Sequence, residues 1–247
     1  MINERIKLIE EYKEKIALFQ PFEGNMLRQL RDYFRVGLTY TSNAIEGNTL
    51  TESETKVILE DGLTIGGKPL RDTLEAVGHA RSYDYMLNLR LARSLTIEDI
   101  LEMHKLFYCL IDTETAGVYR RVPVIITGSK YPTTAPKDIE QKMRELREWM
   151  EGEHSQVHPV VYAAQLHKRL AFIHPFIDGN GRIARLAMNT ILLQKGYLPA
   201  VIPAILRREY FEALESAHSE ETSFIEFIAE RVIETERDTL RLLNYEE

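Results

Sequence analysis

From residue 174 to residue 185 the chain reads His-Pro-Phe-Ile-Asp-Gly-Asn-Gly-Arg-Ile-Ala-Arg, so a base, a carboxylate, a flexible turn and two guanidinium groups fall together. Histidine is the side chain best matched to accept a hydroxyl proton near neutral pH, so His174 is the candidate base. Gly179, Asn180 and Gly181 tolerate the positive φ angles of a tight turn. A strongly apolar stretch follows, so the turn opens a helix. A helix start offers an anion unpaired N–H groups and a favourable dipole. Arg182 and Arg185 share one helix face, and their planar forks suit phosphate oxygens. Asp178 is a hard oxygen ligand of the type that holds Mg2+ between nucleotide phosphates. It equally suits an Asx turn before Gly179, and both roles can hold at once. Together these residues form a phosphate cradle with a base beside it.

A second segment, Thr41-Ser42-Asn43-Ala44-Ile45-Glu46-Gly47-Asn48, carries an anomaly. Glu46 falls in the last turn of its helix, where the dipole disfavours a negative charge by ~0.3–1 kcal/mol. On the residues alone two readings stand: a carboxylate answering a cation from elsewhere in the fold, or a solvated surface glutamate.

Both segments resemble known signatures. Residues 174–185 are similar to the Fic family motif His-Pro-Phe-x-Asp/Glu-Gly-Asn-Gly-Arg-x-x-Arg, with all nine specified positions matched. The resemblance runs from about Thr41 to about Arg237 and extends to Fic enzymes that transfer AMP from ATP to protein hydroxyls. It implies that His174 deprotonates the target hydroxyl and that Asp178 holds the metal. It gives Gly179, Asn180 and Gly181 the anion hole, and Arg182 and Arg185 the β- and γ-phosphates. Ser42-x-x-x-Glu46-Gly47 resembles the family's inhibitory motif, whose glutamate pairs with the second motif arginine, here Arg185. Val124, Ile125, Ile126 and Thr127 match the flap that holds a target peptide over the nucleotide. Glu209-Tyr210-Phe211 resembles the segment whose aromatics flank the adenosine, so Tyr210 and Phe211 are expected there. His218 stands where close relatives often have Asn.

The positioning elements are mostly helices. Leu27, Leu30, Phe34, Leu38, Thr41 and Ile45 recur at three- and four-residue steps, which predicts a helix over about 26–46 with one buried face. Thr96-Ile97-Glu98-Asp99 has the form of a capping box for a helix through Leu110. Pro159 starts a helix running to Ile173, and the segment after the motif is apolar nearly all round, hence central. The exception is Val118 to Tyr131, rich in β-branched residues and turning at Gly128-Ser129, which reads as a β-hairpin with Pro123 confining it to an edge. An edge strand can pair with a peptide; a plain hairpin packed on helices is the other reading. The expectation is an all-α, Fic-type helical bundle with a small β-hairpin flap. Residues 1–90 form an N-terminal helical region with the inhibitory helix, and 91–247 the core with flap (118–132) and catalytic loop (174–185).

With 247 residues, 44% of them hydrophobic, the chain can bury a full core. A net charge of −7 argues against nonspecific nucleic-acid binding, which needs a basic face. The single cysteine, Cys109, excludes an intrachain disulfide and fits a reducing compartment. Neither a secretory segment nor an apolar run long enough to span a bilayer is present, so a soluble, cytoplasmic protein is expected. The spacing of His154, His158, His167 and His174 forms no recognised zinc signature, and His104 is expected to be structural. The function expected is an auto-inhibited protein adenylyltransferase. It would use ATP with Mg2+, modify a Ser, Thr or Tyr hydroxyl of a target protein bound at the flap, and by family resemblance form a homodimer. The alternatives are a Fic enzyme that transfers another phosphate-containing group or removes AMP, and a nucleotide-binding module without turnover. A metal-dependent phosphohydrolase is a third option.

Overall fold

The computed structural model describes residues 1–90, 93–152 and 157–243. Its helices are α1 (Ile2–Ala17), α2 (Gly24–Ile45), α3 (Glu52–Lys56), α4 (Leu70–Leu89), α5 (Ile97–Tyr108), α6 (Ile139–Gly152), α7 (Pro159–Ile173), α8 (Asn180–Gln194), α9 (Arg207–Ser216) and α10 (Thr222–Leu242). The all-α expectation holds: among the described residues there are helices, turns and loops and no strand.

α8 is the axis of the molecule. Ile183, Ala184, Leu186, Ala187, Met188 and Leu192 are all buried, as the apolar pattern around its circumference requires, and α7, α4, α5 and α2 pack around it. Both of its ends are set by glycine. Gly179 precedes it at φ 78°, and Gly196 follows it at φ 79°. There Tyr197 N–H donates to the Leu192 carbonyl and Gly196 N–H to that of Leu193, the paired bonds of a Schellman stop. A central helix with sharp ends places its N-terminus, and the motif there, at a defined depth.

The capping box on α5 forms as expected: Asp99 N–H donates to Thr96 Oγ1 at 3.3 Å and Thr96 N–H to Asp99 Oδ2 at 2.9 Å. The N-terminal region is not a separate layer. α1 lies on α10, burying Ile9 and Ile16 at ~1.5–3 kcal/mol each, and Arg5 reaches Glu230 at 3.1 Å. α2 and α4 are joined by Arg35, whose Nε and Nη2 both bond the Asp84 carboxylate at 3.0 Å.

Residues 118–132 differ from the expected hairpin. A turn closes at Ser129 N–H to Ile126 O (3.2 Å) with Gly128 at φ 90°, but no ladder flanks it. The backbone groups a ladder would use are taken by side chains. Arg120 bonds the carbonyls of Val122 (2.8 Å) and Thr134 (2.5 Å), Thr133 Oγ1 bonds that of Val124 (2.7 Å), and Lys130 N–H donates to Glu215. Pro123 and Pro132 remove two donors more. β-branched composition does not make a strand where these partners win.

One buried acid near α1 yields a prediction. Glu236 of α10 is buried and its Oε2 has no partner among the described residues. Burial first, then the charge of Glu10, push its carboxyl from 4.5 up to about 8, with Lys13 opposing. Below pH 4.5 both folded and unfolded chains hold this proton and nothing is lost. As pH rises from 4.5 to about 8 the unfolded chain releases it first, so stability falls by at most ~1.4 kcal/mol per pH unit. Thermal melts across this range should show Glu236→Gln more stable than wild type at pH 8 and little changed at pH 4.5. An unaltered pH slope in the variant would contradict this.

Candidate active site

α7 stops at His174, whose backbone takes the left-handed conformation (φ 53°, ψ 58°); among the described residues it is the one non-glycine at positive φ. Such strain persists only where neighbours over-determine it. Pro175 disfavours further helix, and Arg120 clamps this residue and the next: Nε donates to His174 O at 2.8 Å, and its backbone N–H to Pro175 O at 2.9 Å. His174 Nδ1 lies 3.3 Å from the Ala171 carbonyl. A carbonyl only accepts, so Nδ1 carries the proton and Nε2 is left as the basic nitrogen. Burial, with Arg120 adding to it, holds the ring below the usual histidine value although the Ala171 bond opposes, so it is neutral near pH 7.

The turn after it is held from inside. Asn180 closes on Phe176 with two bonds of 2.9 Å, Oδ1 accepting from the Phe176 N–H and Nδ2 donating to its carbonyl. Its side chain is therefore structural, and its backbone remains to meet an anion. Phe176 stacks on His104, ring centroids 3.8 Å apart. His104 Nδ1 accepts from Gly117 N–H at 2.8 Å, so its Nε2 carries the proton donated to Asp178 O at 3.1 Å. Burial takes this histidine down to about 4, and it acts as a neutral brace, the structural role expected of it. Gly179 is needed for space as well as φ, because a Cβ there would stand 2.7 Å from the Phe107 ring.

The cradle gathers what the sequence keeps far apart. Arg185 is buried; its Nε donates to Ser42 Oγ (2.9 Å), and its Nη2 to Ser42 O (2.9 Å) and Glu46 Oε1 (2.8 Å). Glu46 caps α2 and reaches across the first turn of α8: a Cβ on Gly181 would meet Glu46 Oε1 at 2.4 Å. The positive end of α8 and a guanidinium offset what α2's own dipole costs this carboxylate. Arg182, also buried, spans Glu75 Oε1 and Asp178 Oδ1, each at 3.1 Å, with Asn43 Oδ1 at 3.4 Å. Asp178 accepts from Gly179 N–H at 2.6 Å through Oδ1 and from Arg71 Nη2 at 2.5 Å through Oδ2.

Tyr210 departs from its expected place. It is 1% exposed, too deep to stack on a base, and its hydroxyl joins Arg185 Nη1 (3.1 Å) to His167 Nε2 (2.9 Å). Two ionisable partners drew the hydroxyl inward. Phe211 is half-buried, with the Arg207 guanidinium 4.9 Å from its ring. In the flap segment Ile125 is 91% exposed, Ile126 and Thr127 are exposed and Val124 is half-buried. The segment's far side is fastened to α9: Ser129 Oγ lies 3.0 Å from Glu215 Oε2, and Tyr131 stacks on His218, which stacks on Phe172. His158 caps α7 and His167 is Tyr210's partner, while His154 lies outside the described residues.

No cluster of three acidic, histidine or cysteine ligands occurs among the described residues. Asp178 offers a partly exposed carboxylate within the phosphate turn itself. That donor set fits Mg2+, which characteristically takes one or two carboxylates and completes its shell with phosphate oxygens and water. Arg71, Glu75, Asn43 and Arg120 were not foreseen from the sequence. The clue available for Arg71 is a cation in the first turn of α4, the wrong end for its charge.

Residues 94–192 match the Fic/DOC family model. The chain is 36% identical over 231 residues to the protein adenylyltransferase Fic of Drosophila yakuba, covering 92% of this chain and 46% of that protein. It is 35% identical over 232 residues to the protein of the same name from Nematostella vectensis, covering 92% and 53%. Among solved structures, a fragment of Fic-1 from C. elegans superposes with a TM-score of 0.86 at 27% identity, covering 97% of this chain and 71% of that one. A Fic domain containing signaling protein from Bacteroides thetaiotaomicron gives a TM-score of 0.88 at 28% identity, covering 97% and 99%. Residues 94–192 thus carry a Fic/DOC domain. The chain spans about half the length of the curated relatives it matches.

Proposed function

We propose that the chain is an auto-inhibited protein adenylyltransferase that moves AMP from ATP to a hydroxyl of a target protein. The observation that carries this reading is the juxtaposition of a neutral His174, with Nε2 as its free base, and a helix start flanked by two buried arginines. The names of its relatives support the choice of AMP. The target oxygen attacks the α-phosphorus and gives its proton to His174 Nε2. The bond to the bridging oxygen breaks and pyrophosphate leaves. Gly179, Asn180 and Gly181 supply backbone donors. Arg182 and Arg185 hold the β- and γ-phosphates, placing charge where phosphoryl-type transfer needs it. Mg2+, when bound at Asp178, neutralises phosphate charge.

Segment 118–132 serves as the flap. Its exposed Val122, Ile125 and Tyr131 offer a target peptide an apolar edge, and the backbone N–H groups of Val124 to Thr127 offer donors. Residues 1–90 act as the regulatory region and 91–247 as the catalytic core. Glu46, positioned with Ser42, restrains the enzyme by occupying Arg185 and covering Gly181. No helix among the described residues is long and apolar enough to cross a membrane. A cytoplasmic setting and a homodimer complete the reading.

Incubation with labelled ATP, UTP, GTP and CDP-choline, each with wild type and Glu46→Gly, tests it. AMP incorporation into protein from ATP is the expected result. Label from another donor would assign a different transferred group, and tight nucleotide binding without label would make the chain a binding module. Asp178→Ala should raise the Mg2+ concentration needed for activity, because a carboxylate ligand is lost. Arg182→Ala should weaken ATP binding, because a charge-assisted phosphate contact is lost. An unchanged Mg2+ titration in the first variant would contradict the ligand role.

A further inference from the structure

Asp178 sits in a closed ring of alternating charge. Arg71 Nη2 bonds its Oδ2 at 2.5 Å and Arg182 Nη2 its Oδ1 at 3.1 Å. The two guanidiniums meet again at Glu75 Oε1, 3.2 Å from Arg71 Nε and 3.1 Å from Arg182 Nη1. The ring ties the start of α4 to the catalytic turn, but its members are not equivalent. Glu75 and Arg182 are buried, whereas the Arg71 side chain is 53% exposed. A divalent cation on Asp178 Oδ2 and the Arg71 guanidinium would compete for the same oxygen.

We propose that Arg71 is the resident counter-cation of Asp178 and cedes this oxygen when a divalent cation and nucleotide bind, which sets how much metal the site requires. The inference rests on the reading of Asp178 as the metal ligand. Three observations carry it. Arg71 stands in the first turn of α4, where the dipole disfavours a cation, and beyond Glu75 on its own helix its guanidinium is aimed at Asp178. It mirrors Glu46 at the end of α2, and the two misplaced charges pair with two residues of one motif, Asp178 and Arg185. Release is also easy. Arg71 keeps Glu75 through Nε, and its exposed guanidinium is readily hydrated. As a brace it is dispensable, because the buried Arg182–Glu75 pair and the packing of α4 on α8 already join these elements.

The test is Mn2+ binding, followed by electron paramagnetic resonance in the presence of a non-hydrolysable ATP analogue. The full chain is compared as wild type, Arg71→Gln, Arg71→Lys and Asp178→Ala, with melting temperatures alongside. Arg71→Gln should reach half-saturation at roughly two- to fivefold less Mn2+, the range an exposed Arg–carboxylate pair is worth. Arg71→Lys, which keeps the charge, should stay near wild type. An unchanged or higher midpoint in Arg71→Gln, with weakened Mn2+ binding in Asp178→Ala, would overturn the role of Arg71 and leave the ligand reading standing. Unchanged Mn2+ binding in Asp178→Ala would overturn both.

Discussion

Replacing His174 with alanine is expected to slow AMP transfer by ~10²–10⁴, the usual contribution of a positioned general base, while ATP binding stays close to wild type. The separation follows from the geometry. The cradle is made by α8 and its arginines, whereas His174 ends α7 and stands apart, held by Arg120 through its carbonyl. Its ring takes no part in holding the turn, which Asn180, Phe176 and His104 secure among themselves. The positive φ at this position will strain alanine too, so the melting temperature belongs with the assay. Nucleotide binding measured by titration and transfer measured with labelled ATP give the two halves of the result. Transfer at the wild-type rate by the alanine variant would remove His174 from the mechanism.

Glu46→Gly should raise self-modification and target modification severalfold, and by as much as ~10²-fold if the restraint displaces the nucleotide by about 1 Å. In the resting structure the Glu46 carboxylate engages Arg185 at 2.8 Å and lies against Gly181, so it both occupies a guanidinium proposed to hold phosphate and covers the first turn of α8. Removing it frees both. The gain should disappear in the Glu46→Gly, Arg185→Ala double mutant, the non-additivity expected of residues that act as a pair. Loosening of α2 could also release activity. The apolar face of α2, with Leu30, Phe34, Leu38 and Ile45 buried, should keep the melting temperature close to wild type. An activated single mutant whose gain survives loss of Arg185 would show that Glu46 restrains the enzyme by another route.

The parts of the site that were legible in the sequence are those whose geometry is local. A histidine ending a helix, a glycine at positive φ and arginines one helical turn apart follow from short-range spacing, and the structure realises each of them, although of the three turn residues only Gly179 takes the positive φ and Asn180 and Gly181 already belong to α8. The helix over 26–46 and the central burial of the helix after the motif were equally readable, because a 3.6-residue period is written directly in side-chain type. Residues 118–132 misled for a related reason. β-branched residues report a preference for extended backbone, but a strand also needs a partner, and Arg120, Thr133 and Glu215 took that place.

What the sequence determined by itself is therefore an inventory and its local frame: a phosphate turn, a histidine beside it, and one charge, Glu46, set at the wrong end of its helix; Arg71 emerged only with the structure. Their partners were decided only in the folded chain. Arg185 and Glu46 are separated by 139 residues in sequence, and Arg71 and Asp178 by 107. Tyr210 moved from an expected base contact to a buried support for Arg185 when α9 packed on α10 and its hydroxyl reached His167 of α7 and Arg185 of α8. Helix dipoles and spacing fix which charges are locally unsatisfied, but only the packing of α2 and α4 on α8 brings an opposite charge within reach, because distance in space is set by burial of apolar faces and not by position along the chain.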